Sequence, residues 1–424
     1  MDVERLTGLE KSLPTSAAGR SVADFLASGP RLSDCLTPVA VLDGAAVDAN
    51  IDRMARWCAE RGVALAPHGK TTMAPDLWRR QLDAGAWGIT VATVSQVRVA
   101  VAAAVPRILL ANPLVDPVGL RWAVDTFTTR TDLALTVWAD SIATVVSMDA
   151  VLGPRPAGRR IRVLVELGAP GARAGARAAA GALAVAAAIR ASPHLELGGV
   201  TGWEGALAVD TSAPSLTRVR EFLHRMVVVH EALLSQHQYE TDEVVLTAGG
   251  STFFDDVAEV LGAAAGPGVT ALLRSGCYLT HDDGTYRALS PMSRAGTPFT
   301  AALHVWARVL SRPEPGLALL DAGRRDLSFD AGMPEPQLVA DDLGRVARPL
   351  VGAHVSALND QHAYLRVPVD SDLRVGQVVR LGISHPCTTF DKWRRIAVLG
   401  SGDDNATSPD DDDPCIVDLI PTWF

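Results

Sequence analysis

A chain of 424 residues is long for one ordinary domain, and its 48 % hydrophobic and 21 % charged residues describe a globular protein with a large core, which excludes disorder as the default. A formal net charge of -9, with Lys and Arg scattered along the chain, leaves no concentrated basic footprint for nucleic acid and points to small-molecule work. No run of about 18 apolar residues suggests a membrane span; the charged opening MDVERLTGLEKSLP reads as neither a signal nor a transit peptide; and Cys35, Cys58, Cys277, Cys387 and Cys415 form no Cys-x-x-Cys, which suits a reducing cytoplasm.

An N-terminal segment, 1–35, precedes the first regular pattern. From Val39 to Gly276 short β-branched apolar runs alternate with helix-like segments, as in chains of βαβ units. The runs are 63–68, 87–92, 107–112, 133–140, 161–168, 196–204, 243–250 and 269–276, with helix candidates such as APDLWRRQLDAGA and TVSQVRVAVAAAV between them. Eight such repeats predict a (β/α)8 TIM barrel over 36–297, with a doubly wound open sheet as the alternative. From about Pro298 the pattern changes to strand-like runs separated by short turns, predicting a C-terminal antiparallel β domain over 298–424. Within it the acidic stretch 402–414 reads as a solvated loop, with a metal-binding loop as the lesser reading.

Chemistry in a barrel of this kind sits where the strands end. The runs end in Lys70, Thr93, Asn112, Asp140, Glu166, Trp203 with Glu204, Gly249-Gly250-Ser251, and Ser275-Gly276. Lys70, in APHGKTTMAP, would have its amine in a pocket where desolvation favours the neutral nucleophile. TAGGSTF and RSGCY, on the seventh and eighth runs, offer consecutive backbone N–H groups, with the Ser251 and Thr252 hydroxyls at a helix start, and read as a phosphate cradle. Barrel closure would set this cradle beside strand one. A lysine facing a phosphate site suits pyridoxal 5'-phosphate.

Five motifs in order, PHGKTTM, ELGAPGARAG, TAGGST, RSGCY and SHPCTTFDKW, resemble those of the alanine-racemase-like, fold-type III pyridoxal-phosphate enzymes, in the branch of D-serine dehydratases and D-threonine aldolases. The resemblance covers about residues 35–424 and implies a barrel of alanine racemase type. It makes Lys70 the Schiff-base lysine and sets Arg173 near the cofactor or the substrate carboxylate. Gly249, Gly250, Ser251, Gly276 and Cys277 would hold the phosphate, mainly through backbone groups. His68 would pack against the cofactor ring or serve the structure, Trp203 or Glu204 would face the ring, and Tyr278 would reach the phosphate or only pack.

The resemblance also makes His385 and Cys387 a metal pair. On an extended segment the two would share a face, and thiolate with imidazole favours Zn2+ over other divalent metals. His362, in NDQHAY, resembles a catalytic histidine of the family near the metal and substrate, with His354 and Asp360 as weaker candidates. The remaining cysteines read as plain thiols.

The implied activity is a lyase acting on D-serine or another D-β-hydroxy amino acid, giving an oxo acid and ammonia. The alternatives are a D-threonine aldolase giving glycine and an aldehyde, a racemase, and a non-catalytic cofactor-binding protein. Family resemblance further implies a homodimer with active sites at the subunit interface.

Overall fold

The first strand, β1 (Val39–Asp43), precedes the barrel in the chain but does not belong to it. A computed structural model describes residues 5–153, 158–400 and 413–424. In it, β1 pairs antiparallel with β10 (Leu303–Glu314) and parallel with β17 (Arg395–Leu399), in the C-terminal sheet. The expected barrel start at residue 36 is corrected accordingly. The buried run Val39 to Leu42 is not among the eight strand-like runs of the sequence, and periodicity does not say which sheet takes it.

All eight runs form strands: β2 (Ala64–Leu65), β3 (Ile89–Val91), β4 (Arg107–Pro113), β5 (Ala134–Ala139), β6 (Ile161–Leu167), β7 (Leu195–Gly202), β8 (Val244–Ala248) and β9 (Val269–Leu273). They make one parallel sheet in the order β2-β9-β8-β7-β6-β5-β4-β3. A parallel bridge from His68 to Thr90 joins its two edges. The same seam carries Trp87 N–H to Leu65 O at 2.7 Å and Thr90 N–H to Pro67 O at 3.0 Å. The curled sheet is thereby closed where β2 is too short to pair along its length. Closure sets the loop after β2 beside the loop after β9, and the site depends on this.

Side chains split between two cores because successive strand residues face opposite ways. Ala66, Leu109, Ala111, Trp138, Leu164, Val245 and Leu272 fill the barrel interior. A larger cluster joins the outer strand faces to the helices, which bury apolar stripes such as Val219, Phe222, Met226 and Val229. That stripe repeats at three- and four-residue steps, as helical periodicity requires.

Among the described residues the second sheet has ten strands; its main path is β13 (Arg348–Pro349), β12 (Glu335–Ala340), β16 (Val378–Gly382), β10, β1, β17 and β18 (Ile416–Pro421). β11 (Leu317–Leu320), β15 (Ala363–Arg366) and β14 (His354–Leu358) extend it from β10. The segment before β1 packs Leu6, Leu13, Phe25 and Leu32 against Trp306, Val378 and Ile416 of this sheet. Of the acidic stretch, only Asp413 and Pro414 are among the described residues. The Asp413 carboxylate accepts from the Ser33 N–H at 3.1 Å and hydroxyl at 2.6 Å. Among the described residues no helix is long and apolar enough to cross a membrane, and all five cysteines are free.

Candidate active site

A cavity of ≈ 340 Å³ opens at the strand ends, lined among others by Lys70, Arg173, Trp203, Gly250, Arg274 and His385. Its size falls in the range of about 300–1,000 Å³ usual for small-molecule sites. Lys70 sits in the turn Gly69–Thr71 directly after β2, and its side chain is exposed. The burial expected for its amine is therefore not found: the lysine stands in an open mouth. Not every strand end faces the cavity. Thr93 caps the helix Val94–Ala102 through Gln96 N–H, Asn112 donates to Ala92 O at 2.7 Å, and Asp140 accepts from the Thr144 hydroxyl at 2.6 Å. These three hold loops.

His68 and Arg274 give the cavity a polar wall. His68 has a buried Nδ1 without a hydrogen-bond partner, and burial, then the charges of Lys70, Arg274 and Arg173, push the ring well below its usual range, so it is neutral. Arg274 is buried and donates to Thr247 Oγ1 at 2.7 Å and Gly202 O at 2.6 Å, with its guanidinium 5.0 Å from the Trp138 ring centroid. Burial lowers it to about 10, so it stays protonated at neutral pH. Glu166, 2 % exposed, has one carboxyl oxygen without a partner; burial, opposed by Arg173, raises it to about 7. Arg173 is exposed and stacks 4.3 Å over the Trp203 ring, placing a cation above an aromatic wall.

The glycine loops are present, but two of their donors are engaged. Gly249, at φ +112°, has a backbone that only glycine adopts without strain. Its N–H donates to Glu204 Oε2 at 2.9 Å, and Gly250 N–H donates to Oε1 at 2.8 Å. The expected cradle is corrected to this extent: a protein carboxylate occupies the first two N–H groups, while Ser251 and Thr252 still line the cavity. A Cβ at Gly276 would meet Thr71 Oγ1 at 2.5 Å and His68 O at 2.6 Å, so only glycine lets the loop after β9 lie against the lysine turn. Cys277 N–H donates to Ser251 Oγ at 3.3 Å, tying the two loops together.

Tyr278 does not reach the cavity. It is buried on the other side of the turn Cys277–Leu279, accepts from Gln81 Nε2 at 2.8 Å and packs against Phe299, so of its two expected roles it packs. The same turn sends the Cys277 thiol toward Cys387, with the two Sγ atoms 3.7 Å apart. Cys277, His385 and Cys387 have their ligand atoms within 4.8 Å of one another. His385 and Cys387 do not lie on an extended segment as expected. Pro386 is helical and Cys387 opens a one-turn helix, and this turn is what brings the imidazole and thiol together.

His385 Nδ1 is 2.7 Å from Asp330 Oδ2, and Asp330 is steadied by the Thr388 hydroxyl at 2.6 Å. Burial opposes the imidazolium, but Cys387 and Asp330 raise His385 to about 9. Cys387 is held well down by a hydrogen bond with the Cys277 thiol and by His385, and Cys277 is held well up by the same bond. Thr71 Oγ1 lies 3.6 Å from Cys387 Sγ, so the donor cluster adjoins the lysine turn. A neutral-ligand or thiolate set of this kind fits a soft divalent metal, and the exposed lysine beside polar loops fits a phosphate-bearing aldehyde cofactor.

His362 is not at the cavity of its own chain. It is exposed on the turn between β14 and β15, where its carbonyl accepts from Asn359 N–H at 2.9 Å, and His354 and Asp360 are exposed too. Sequence reasoning missed Arg274 and Asp330. The arginine was visible as the charge ending an apolar run, in VTALLRSG; Asp330 lies 55 positions before His385 and carries no local signal.

A family model described as "Putative serine dehydratase domain" matches residues 302–399, the segment bearing the metal-type pair. D-threonine aldolase of an Arthrobacter species is 28 % identical over 88 % of this chain and 92 % of its own length. D-threo-3-hydroxyaspartate dehydratase of a Delftia species is 28 % identical over 86 % of this chain and 95 % of its own. Among solved structures, D-threonine aldolase from Filomicrobium marinum superposes with TM-score 0.75 at 24 % identity, covering 93 % of this chain and 97 % of that one. An alanine-racemase-like protein from Idiomarina loihiensis superposes with TM-score 0.68 at 18 % identity, covering 86 % and 94 %. Residues 302–399 thus resemble a serine dehydratase domain, and over most of its length the chain is similar to lyases of D-β-hydroxy amino acids. The barrel with its mostly antiparallel second sheet is the alanine-racemase-like fold.

Proposed function

We propose that this chain is a pyridoxal-phosphate- and metal-dependent lyase that converts D-serine or another D-β-hydroxy amino acid to an oxo acid and ammonia by β-elimination. The observation that carries the reading is the donor pair His385 and Cys387 set against the turn of Lys70, with Thr71 between them. Lys70 would hold the cofactor, Ser251, Thr252 and the turn at Gly276 would meet its phosphate, and His68 and Trp203 would bound its ring.

When bound, pyridoxal phosphate supplies an electron sink for charge developing at Cα, and a divalent metal supplies Lewis acidity toward a β-hydroxyl. The residues of the chain do the rest. Lys70 Nζ, at the mouth of the cavity, would be the base at hand for the Cα proton. Arg173, exposed above Trp203, offers a cation to the substrate carboxylate, and protonated Arg274 and neutral His68 set the electrostatics of the floor. A homodimer in which His362 of one subunit reaches the cavity of the other would account for its exposed position on a turn.

The second reading, an aldolase giving glycine and an aldehyde, is favoured by the likeness to D-threonine aldolase over 88 % of the chain. A cysteine rather than an aspartate in the metal pair supports the dehydratase. A product assay across D- and L-β-hydroxy amino acids, with added zinc or manganese, separates them. Oxo acid with ammonia supports the proposal, whereas glycine with aldehyde establishes the second reading. Lys70→Ala should abolish both the visible absorbance of the lysine-bound cofactor and turnover, and a fully active variant would refute the assignment.

A further inference from the structure

We propose that Cys277 is a third protein ligand of the metal held by His385 and Cys387, so that a single ion ties the barrel to the β domain. This rests on the reading above that His385 and Cys387 bind a metal.

The geometry is that of a donor set rather than of two packed cysteines. The 3.7 Å between the Sγ atoms is far beyond the about 2.05 Å of a disulfide. It is close to the roughly 3.8 Å edge of a tetrahedron built on zinc–sulfur bonds of about 2.3 Å. The nitrogen of His385 completes a triangle with no side above 4.8 Å. Asp330 takes Nδ1 at 2.7 Å, which leaves Nε2 as the ligand atom and fixes the ring, the outer-shell pairing typical of metal-bound histidine. Thr71 Oγ1, 3.6 Å from Cys387 Sγ and 4.0 Å from Cys277 Sγ, bounds the cluster on the side of Lys70. Three protein donors with one remaining position is the arrangement of catalytic zinc sites.

Two consequences follow from the chemistry. A His and two thiolates select zinc over magnesium or manganese, which prefer oxygen. Because Cys277 follows β9 of the barrel while His385 and Cys387 follow β16 of the other sheet, the ion becomes a cross-link between the two domains. With only two ligands, both from the β domain, the ion would make no such link.

X-ray absorption of the zinc-loaded holoenzyme counts the sulfurs directly and needs no variant. Two sulfur scatterers per zinc at about 2.3 Å are expected, and one overturns the inference. In the cobalt-loaded protein, Cys277→Ser should lose roughly half of the thiolate-to-cobalt charge-transfer absorbance, as one of two soft donors goes. The visible absorbance of the lysine-bound cofactor, retained, reports that this variant is folded. An undiminished charge-transfer band in Cys277→Ser overturns the third ligand. A Cys387→Ser variant that keeps the metal in full stoichiometry instead overturns the metal reading on which the inference rests.

Discussion

Gly250 donates its N–H to Glu204 Oε1 at 2.8 Å, and Gly249 donates in parallel to Oε2 at 2.9 Å. A carboxylate that is 0 % exposed thus holds the first glycine loop in shape from the end of the neighbouring strand. Glu204→Gln keeps one acceptor but turns an NH2 toward the second N–H, leaving a buried donor unpaired. Such a loss costs about 1–3 kcal/mol. The variant should melt several degrees below the parent protein in a thermal scan; an unchanged melting temperature would show that the carboxylate does not organise the loop.

Glu166 carries the clearest pH signature. Its carboxyl is raised from the usual carboxylate range to about 7 by burial, so the folded state binds a proton more tightly than the unfolded chain. Its contribution to stability is fully present below about 4.5 and is lost as pH rises through about 7, amounting to roughly 3 kcal/mol as an upper figure. Glu166→Gln mimics the protonated form. In cofactor-free protein its stability relative to the parent should therefore increase between pH 5 and pH 8, measured by denaturant midpoints, and a pH-independent difference would rule the linkage out.

Tyr278 tests the reassignment of a residue that follows the phosphate-type turn. Tyr278→Phe removes the acceptor of Gln81 Nε2, which is buried. The expected cost is about 1–3 kcal/mol of stability, with turnover of the loaded enzyme essentially unchanged because the ring points away from the cavity. A large fall in cofactor affinity without a fall in stability would place the hydroxyl at the phosphate after all.

The proposed shared site between subunits makes a complementation experiment decisive. Lys70→Ala and His362→Ala should each be inactive alone. If His362 serves the partner's cavity, mixed subunits form one intact site per heterodimer, and random reassortment restores about a quarter of parental activity. Recovery no greater than the sum of the two variants would mean that His362 acts in its own chain or not at all.

Much of the architecture was legible because it is written in local patterns. The eight apolar runs, each bounded by helical periodicity, required a parallel sheet, and all eight became strands. The β-rich final third announced itself by the change of period after Pro298. β12 and β15 were not read, since EPQLVA and AYLR are short and too polar to stand out. The lysine, the glycine loops and the His-x-Cys pair were also visible, because each is a short contiguous motif whose residue types carry their chemistry with them.

Contacts between segments distant in sequence were decided elsewhere. That β1 lies in the second sheet, that Glu204 occupies the N–H groups of Gly249 and Gly250, and that Asp330 orients His385 are properties of chain closure. The same holds for Cys277, whose backbone the sequence assigned to a phosphate loop while the turn after β9 directs its thiol 110 residues along the chain to Cys387. Sequence by itself determined which residues are equipped for chemistry, since side-chain type and local period are encoded residue by residue. Only the tertiary structure decided which of them meet, because a one-residue change in turn geometry swings a side chain from one face to the other, and that rotation is set by packing between two domains.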